Sequence, residues 1–333
     1  MVTTSIGDLA GTFAFRARNV ALKQDIQRLS TEMTTGAVSD LAKKFSGNMG
    51  VISGIDSSLA RLLSYDTQTN EAVLFTAAMQ ASLQNINSLT SDASATLMSA
   101  NLGGTNTQLS ATASDAKHKF EAVIGALNTA AGGRSIFSGV ETNSVALADP
   151  DVILSALEAA TSGAASAQDV VAAVRDWFDD PAGFSAVAYL GGAGLEPANI
   201  AAGENADLGI TAADPAIRST LRGLALGALL DRGVLAGNSA EQKSLAVAAG
   251  SDLIESGSSR LDLSARLGVT EAQISAAQTR NSNETTSLQI ARNDLVSVDA
   301  FETATRLQDT QTQLETIYAL TARMSRLSLL DYL

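Results

Sequence analysis

Apolar positions recur at helical spacing over both flanks of the chain and lose that spacing in between. Near the start, Leu22, Ile26, Leu29 and Met33 fall at i, i+4, i+7 and i+11, while Ile6, Phe13 and Val20 sit seven apart. Such stripes predict one amphipathic helix from about Ser5 to Thr35, with Gly36 as its C′ stop. After Gly47 and Gly50, one period-seven track takes in Ile52, Leu59 and Val73, and a second takes in Ile55, Leu62, Leu83 and Leu97. Both predict a long helix in a weak coiled coil, interrupted at Asp66, Thr69 and Thr76. Gly103–Gly104 predicts a turn. Leu109, Ala113, Ala116, Phe120, Val123 and Leu127 then predict a further helix, ended by Gly132–Gly133.

The C-terminal flank reads the same way. From Val269 to Leu333 the chain has neither Gly nor Pro. Leu307, Leu314, Ile317, Leu320, Met324 and Leu327 form its late apolar seam. A continuous helix of that length would span about 98 Å. It needs a partner, either the N-terminal flank or another chain.

Proline marks the exception. All four prolines fall between Pro150 and Pro215, and an interior proline costs a helix about 3 kcal/mol. Turns therefore concentrate in an insert. Within it, Asp151–Glu158 and Asp169–Phe178 read as short helices. Phe184–Leu190, with Gly191–Gly192 behind it, reads as a strand and turn. Ile200 and Leu208–Thr211 are weaker strand candidates, and residues 216–231 are helical again. The expected fold class is mainly α. Long antiparallel N- and C-terminal helices form a coiled-coil rod, with a small α+β insert domain. The expected division is a terminal coiled coil over 1–45 and 290–333, a helical rod over 46–144 and 223–289, and the insert over 145–222.

Composition sharpens this picture. Only 4% of the residues are aromatic in a chain that is 45% apolar, which suits closely packed helices better than an aromatic-rich core. The net charge of −13 argues against nucleic-acid binding. The excess sits in the middle: residues 51–300 carry 13 Lys and Arg against 27 Asp and Glu. Solvated middle segments flanked by ends that meet other surfaces would give this distribution, and so would ordinary solubilising charge. There is no Cys, so disulfides, thiolate metal sites and Cys nucleophiles are excluded. The first 35 residues hold no apolar run with a small-residue cleavage site, so no Sec signal peptide is expected. No run of 18 apolar residues predicts membrane insertion.

Candidate chemistry is sparse. The one histidine, His118, lies between Lys117 and Lys119. A lone imidazole cannot build a multi-His metal site, and its cationic neighbours disfavour a raised pKa. Neither a Gly-x-Ser-x-Gly elbow nor a Walker loop occurs. Gly191-Gly192-Ala193-Gly194 reads as a turn, and Asp179–Asp180 before Pro181 as a loop boundary. No enzyme, no metal and no cofactor is expected. The tail is unusual: Leu327, Leu329, Leu330, Tyr332 and Leu333 place five large apolar residues in the last seven. Chain ends are usually polar, and crowded apolar side chains mark an interaction surface. The alternative is a terminal helix docked on its own core.

Three segments carry a resemblance. The run Val298-Asp299-Ala300 through Thr305-Arg306-Leu307, with the tail Leu327-Ser328-Leu329-Leu330-Asp331-Tyr332-Leu333, resembles the C-terminus of the flagellar hook-associated protein 3 family. These are hook–filament junction proteins of the flagellin-like superfamily. Gly133-Arg134-Ser135-Ile136-Phe137-Ser138-Gly139 resembles that family's Gly-Arg-Tyr-Leu-Phe-Ser-Gly motif, with Ser135 in place of the aromatic. The helix ending at Leu29-Ser30 and Thr34-Thr35-Gly36 is similar to the flagellin-type helix ending in Ser-Thr-Gly. The run Ser39-Asp40 lacks the family's following proline. Together the matches cover the two flanks, roughly two-thirds of the chain.

The resemblance implies a structural subunit of the bacterial flagellum, extracellular at the hook–filament junction and cytoplasmic before export. It implies unfolded export through the type III apparatus and folding on assembly, with both terminal helices disordered in the free subunit. Its partners would be hook-associated protein 1, flagellin, copies of itself and a flagellar export chaperone. Assembly contacts would fall on Ile6, Phe13, Val20, Ile26, Leu29, Met33, Leu314, Ile317, Leu320, Met324, Leu327, Leu329, Leu330, Tyr332 and Leu333. Gly133, Arg134, Ile136, Phe137 and Gly139 would form the domain-junction motif. Two alternatives stay open: flagellin itself, and a secreted enzyme or adhesin whose activity maps to the Asp151–Ile217 insert.

Overall fold

The structure is a computed structural model that describes the backbone of residues 6–100 and 105–330 and the side chains of residues 11, 13–100 and 105–323. The predicted Gly103–Gly104 turn lies outside the described residues. Nine α-helices appear among those described: α1 (Ile6–Thr35), α2 (Leu41–Lys44), α3 (Gly50–Ser99), α4 (Asn106–Leu127), α5 (Pro150–Ala160), α6 (Ala167–Asp179), α7 (Pro215–Asp231), α8 (Ser239–Val296) and α9 (Ala300–Leu330). Four short strands make two antiparallel hairpins: β1 (Ala130–Ala131) with β2 (Arg134–Ser135), and β3 (Ala198–Ala201) with β4 (Glu204–Ala206). The fold is mainly α with a small α+β insert, as the pattern predicts. The chain divides into two compact units, Met1–Arg61 with Asn283–Leu333, and Leu62–Ser282.

In the first unit α1 and α9 pair. Leu22 and Leu29 are buried on α1 and Ile317 on α9. Gly36 ends α1 as predicted: its φ of 70° is left-handed, and its N–H returns to Glu32 O at 2.8 Å. The stretch from Val269 to Leu333 without Gly or Pro is not one continuous helix. α8 starts earlier, at Ser239, runs through Gly250, Gly257 and Gly268, and stops at Val296. The break is a cap. Asp299 Oδ1 accepts from the N–H groups of Phe301 (2.9 Å) and Glu302 (3.0 Å) and so starts α9. Acidic side chains at N-caps satisfy otherwise orphaned donors. The two helix breaks then clasp each other. Val38 N–H donates to Val296 O (2.8 Å) and Val298 N–H to Gly36 O (3.0 Å). Lys44 Nζ adds bonds to Leu295 O (2.8 Å) and Ser297 O (2.9 Å).

In the second unit α3 is organised by two strict heptads. Leu62, Thr69, Thr76, Leu83, Thr90 and Leu97 form one buried track, and Ala72, Met79, Ile86 and Ala93 form the other, continued by Ala100 just past the helix end. The sequence pattern marks Thr69 and Thr76 as interruptions, but the structure places them in the seam. Their hydroxyls donate back to their own helix: Thr69 to Tyr65 O (2.9 Å), Thr76 to Val73 O (3.3 Å), and likewise Thr90 to Ile86 O (2.8 Å). A back-bonded threonine presents only its methyl to the core. Val73, assigned from the sequence to a track, is exposed instead. Helices α4 and α7 approach closely at Gly227, where an added methyl would meet Ala116 Cβ at 2.8 Å.

Helix α4 stops before the glycines expected to end it. Asn128 is the C-cap, and its amide exchanges two bonds with the backbone of Leu147, at 3.0 and 2.8 Å. Gly132 and Gly133, at φ 58° and 80°, instead turn the β1–β2 hairpin, a two-residue turn that needs positive φ twice. Residues 184–190 are not a strand. Phe184–Ala188 is a short π-helix, with Tyr189 N–H bonded to Phe184 O at 2.9 Å. Phe184 and Ala188 are both buried, four apart on one face, and the Ala and Ser between them carry too little hydrophobic contrast to reveal the period. Only Tyr189 makes a bridge, to Leu147. Ile200 lies in β3, whereas Leu208–Thr211 forms no strand.

Candidate assembly surfaces and the insert motif

Gly133–Gly139 joins the helices of the second unit to the insert. The Arg134 guanidinium lies over the Phe75 ring, 5.1 Å from its centroid, and pairs with Glu71, both on α3. Ile136 and Phe137 are fully buried. Phe137 O accepts from Ala212 N–H (2.9 Å), Ser138 O from Gly192 N–H (2.9 Å), and Ala193 O from Val140 N–H (2.9 Å). The Gly191–Gly194 run is thus a turn threaded against the motif. Gly139 has a φ of 62°, and a Cβ there would strike the carbonyl oxygen of Ala193. Ser135, which stands where the resembling motif has an aromatic, is buried with no hydrogen-bond partner for its hydroxyl.

Gly139 and Gly203 make a matched pair of positions. Both have positive φ, but Gly203 (75°) has open space around it. Gly203→Ala is expected to cost about 1 kcal/mol, the left-handed penalty alone. Gly139→Ala adds a backbone clash and is expected to exceed it by at least about 1 kcal/mol. Urea denaturation of the two variants checks the difference.

The residues expected to make assembly contacts separate into two sets. Leu29 and Ile317 are buried, and Ile26 and Leu314 are half-buried, in the α1–α9 pair. Phe13, Val20, Met33 and Leu320 are exposed, Phe13 at 76%. One sequence stripe therefore covers two faces: an inner one that packs α1 on α9, and an outer one left open. The side chains of Ile6, Met324, Leu327, Leu329 and Leu330, and all of Tyr332 and Leu333, lie outside the described residues. Leu22 on the inner face is not in the predicted set, and neither is Phe301, which is 84% exposed. Phe301 stands two residues after the Asp299 cap, in a chain with few aromatics. The Asp299-x-x-Glu302 spacing, a helix-start pattern, was the available signal for its position.

Charge pairing also supports α1 and its contact with α9. Arg28 bonds Asp25 (3.0 Å) and Glu32 (3.1 Å) on α1, and Glu32 Oε1 also accepts from Ser39 N–H (3.1 Å). Lys23 sits over the Tyr318 ring at 5.8 Å. Hydrogen bonds from Lys23, and then Asn19, draw the Tyr318 phenol below its ordinary pKa. His118 is on the surface, 3.4 Å from Glu121. Among the described residues no cluster of His, Cys, Asp and Glu could hold a metal ion, and no helix is long and apolar enough to cross a membrane.

The long helices and the small insert define a class of protein: a mainly α fold with a small α+β insert. Residues 253–333 match the family described as the bacterial flagellin C-terminal helical region. The fold is similar to that of a Vibrio parahaemolyticus protein assigned as flagellar hook-associated. The two share 13% identity at a TM-score of 0.55, over 74% of this chain and 97% of that one. Bacillus cereus FlgL aligns at 14% identity and a TM-score of 0.49, over 71% of this chain and 96% of that one. No curated protein matches the chain in sequence.

Proposed function

We propose that the chain is a structural subunit of the bacterial flagellum that joins the hook to the filament. The observation that carries this reading is the α1–α9 arm, whose inner face is packed while Phe13, Val20, Met33, Phe301 and Leu320 stand open on its outside. An arm of two helices has no core with which to cover them. Neighbouring subunits would, at about 1.5–3 kcal/mol gross for each large apolar side chain buried. Ordering entropy offsets much of that gain, so the arm is expected to fold as it assembles. Likeness in fold to a hook-associated protein, and a flagellin-type C-terminal region, support the same reading.

On this proposal the chain is exported unfolded through the flagellar type III apparatus, with a chaperone on its C-terminal region. It then docks between hook-associated protein 1 and flagellin, beside copies of itself. The contact residues are those expected from the sequence, from Ile6 to Met33 and from Leu314 to Leu333. The terminal coiled coil, rod and insert divide at residues 45/46, 144/145, 222/223 and 289/290.

A second reading, flagellin, is favoured by the family match over residues 253–333. Electron microscopy and sedimentation of the purified full-length protein separate the two. A junction subunit stays monomeric, with protease-labile ends and a resistant middle. Long filaments formed by the protein alone would overturn the junction reading in favour of flagellin.

A further inference from the structure

Helices α3, α7 and α8 meet along surfaces that repeat from turn to turn. Leu221, Ala225 and Ala228 of α7 are buried, as are Ala246, Ala249 and Leu253 of α8. A slip of one helical turn, about 5.4 Å, would exchange one Leu or Ala for another along much of these surfaces, and close packing specific to one register is found at Gly223 against Leu253 and at Gly250 against Met98. Apolar burial is non-directional, so it fixes the axial position of such helices weakly. A directional contact adds to those close approaches in setting it.

Arg260 of α8 supplies one. It is only 6% exposed, yet all five hydrogen bonds of its guanidinium end on neutral acceptors. Nε donates to Asn87 Oδ1 on α3 (3.1 Å), and Nη1 to Thr220 Oγ1 on α7 (3.2 Å). Nη1 also reaches Ser256 Oγ (2.7 Å), and both Nη atoms reach Leu253 O (3.4 and 3.3 Å). Burial lowers the pKa of this group below the ordinary arginine value. A buried cation without a carboxylate is a poor source of stability, and an apolar residue of similar volume often serves better. In some proteins such a group contributes registration instead. Two further contacts keep the same antiparallel register of α3 on α8 on either side of Arg260: Ser251 Oγ with Met98 Sδ (3.8 Å) and Gln278 Nε2 with Asn70 Oδ1 (2.6 Å). Both are exposed. Arg222 and Asp252 tie α7 to α8 as well, at 2.9 Å. Arg260 is where α3, α7 and α8 are tied together in the interior.

We propose that Arg260 is a positioning residue that fixes the axial register of α3, α7 and α8 at the expense of stability. A slipped α8 would leave the guanidinium buried without Asn87 or Thr220. The inference does not depend on the junction reading. It holds for any assembly that needs every copy to present its surfaces at one spacing.

The chain has no cysteine, so engineered pairs report register without background. Met98→Cys with Ser251→Cys, and separately Asn70→Cys with Gln278→Cys, are placed in the full-length chain, and the rate of disulfide closure after a brief oxidant pulse is measured. With Arg260→Met added, the helical circular-dichroism signal is retained and the melting temperature is no lower than the parent's. Closure at both pairs slows by about fivefold or more, as it does when slipped forms outnumber the native register about four to one. Asn87→Ala, which removes only the α3 acceptor, slows closure in the same direction. Closure at the parent rate in either variant would overturn the proposal. So would loss of the helical signal in Arg260→Met, because Arg260 would then hold the fold and not its register.

Discussion

Deletion of Leu327–Leu333 is expected to abolish incorporation into the flagellum while leaving the second unit, Leu62–Ser282, as stable as before. The seven residues carry five large apolar side chains. Their burial against neighbours would contribute on the order of 7–15 kcal/mol gross. Even after ordering costs remove most of this, the remainder is large for one subunit contact, since each 1.4 kcal/mol changes an association constant tenfold. The core of the second unit is built from residues of α3, α4, α7, α8 and the insert, whereas the seven belong to the first unit. Circular dichroism should therefore give the parent's thermal transition for that unit, while a motility or incorporation assay falls to background. Normal filament growth on the truncated protein would contradict the assembly role given to the tail.

The second large effect is the reverse case, a lesion inside the core. Phe137→Ala is expected to destabilise the second unit by about 3–5 kcal/mol, the cost of a large buried aromatic replaced by a methyl with the cavity left behind. Phe137 is fully buried, and its flanking backbone is held by Ala212 and Gly192, so the site has little room to collapse. Equilibrium urea unfolding should show the midpoint lowered with the slope unchanged. The contrast between the two variants is informative. One removes assembly and keeps the fold, while the other weakens the fold at a distance in sequence from either terminus.

How far the structure could be read from the sequence depended on what each residue type reveals. The long helices were legible because Leu, Ile and Val recur at helical spacing and because proline is confined to the stretch from Pro150 to Pro215. Helix α1 and its Gly36 stop fall where the pattern puts them. The seam of α3 was only half legible. Threonine reads as polar in a sequence, but its hydroxyl is satisfied by its own helix at Thr69, Thr76 and Thr90, and its methyl then serves as a core group. The break at residues 297–299 was hidden for another reason. Absence of Gly and Pro permits a helix but does not require one, and the Asp299 cap, together with the bonds to Gly36 and Val38, wins over continuation. The π-helix at Phe184–Ala188 escaped because Ser and Ala leave the period undefined. In the arm, spacing identified the apolar stripe but could not say which of its residues face α9. That needed the partner helix, which places Leu22 and Leu29 inside and Phe13 and Val20 outside. Arg260 carries no sequence signal at all, since a lone arginine on a long helix reads as a solvated side chain.

The most direct test of the junction account is immunogold electron microscopy of intact flagella from the native bacterium, with antibody raised against the insert. The account predicts a single short band of label between hook and filament. Label along the whole filament would assign the chain to the filament itself, and flagella without label would contradict a flagellar role.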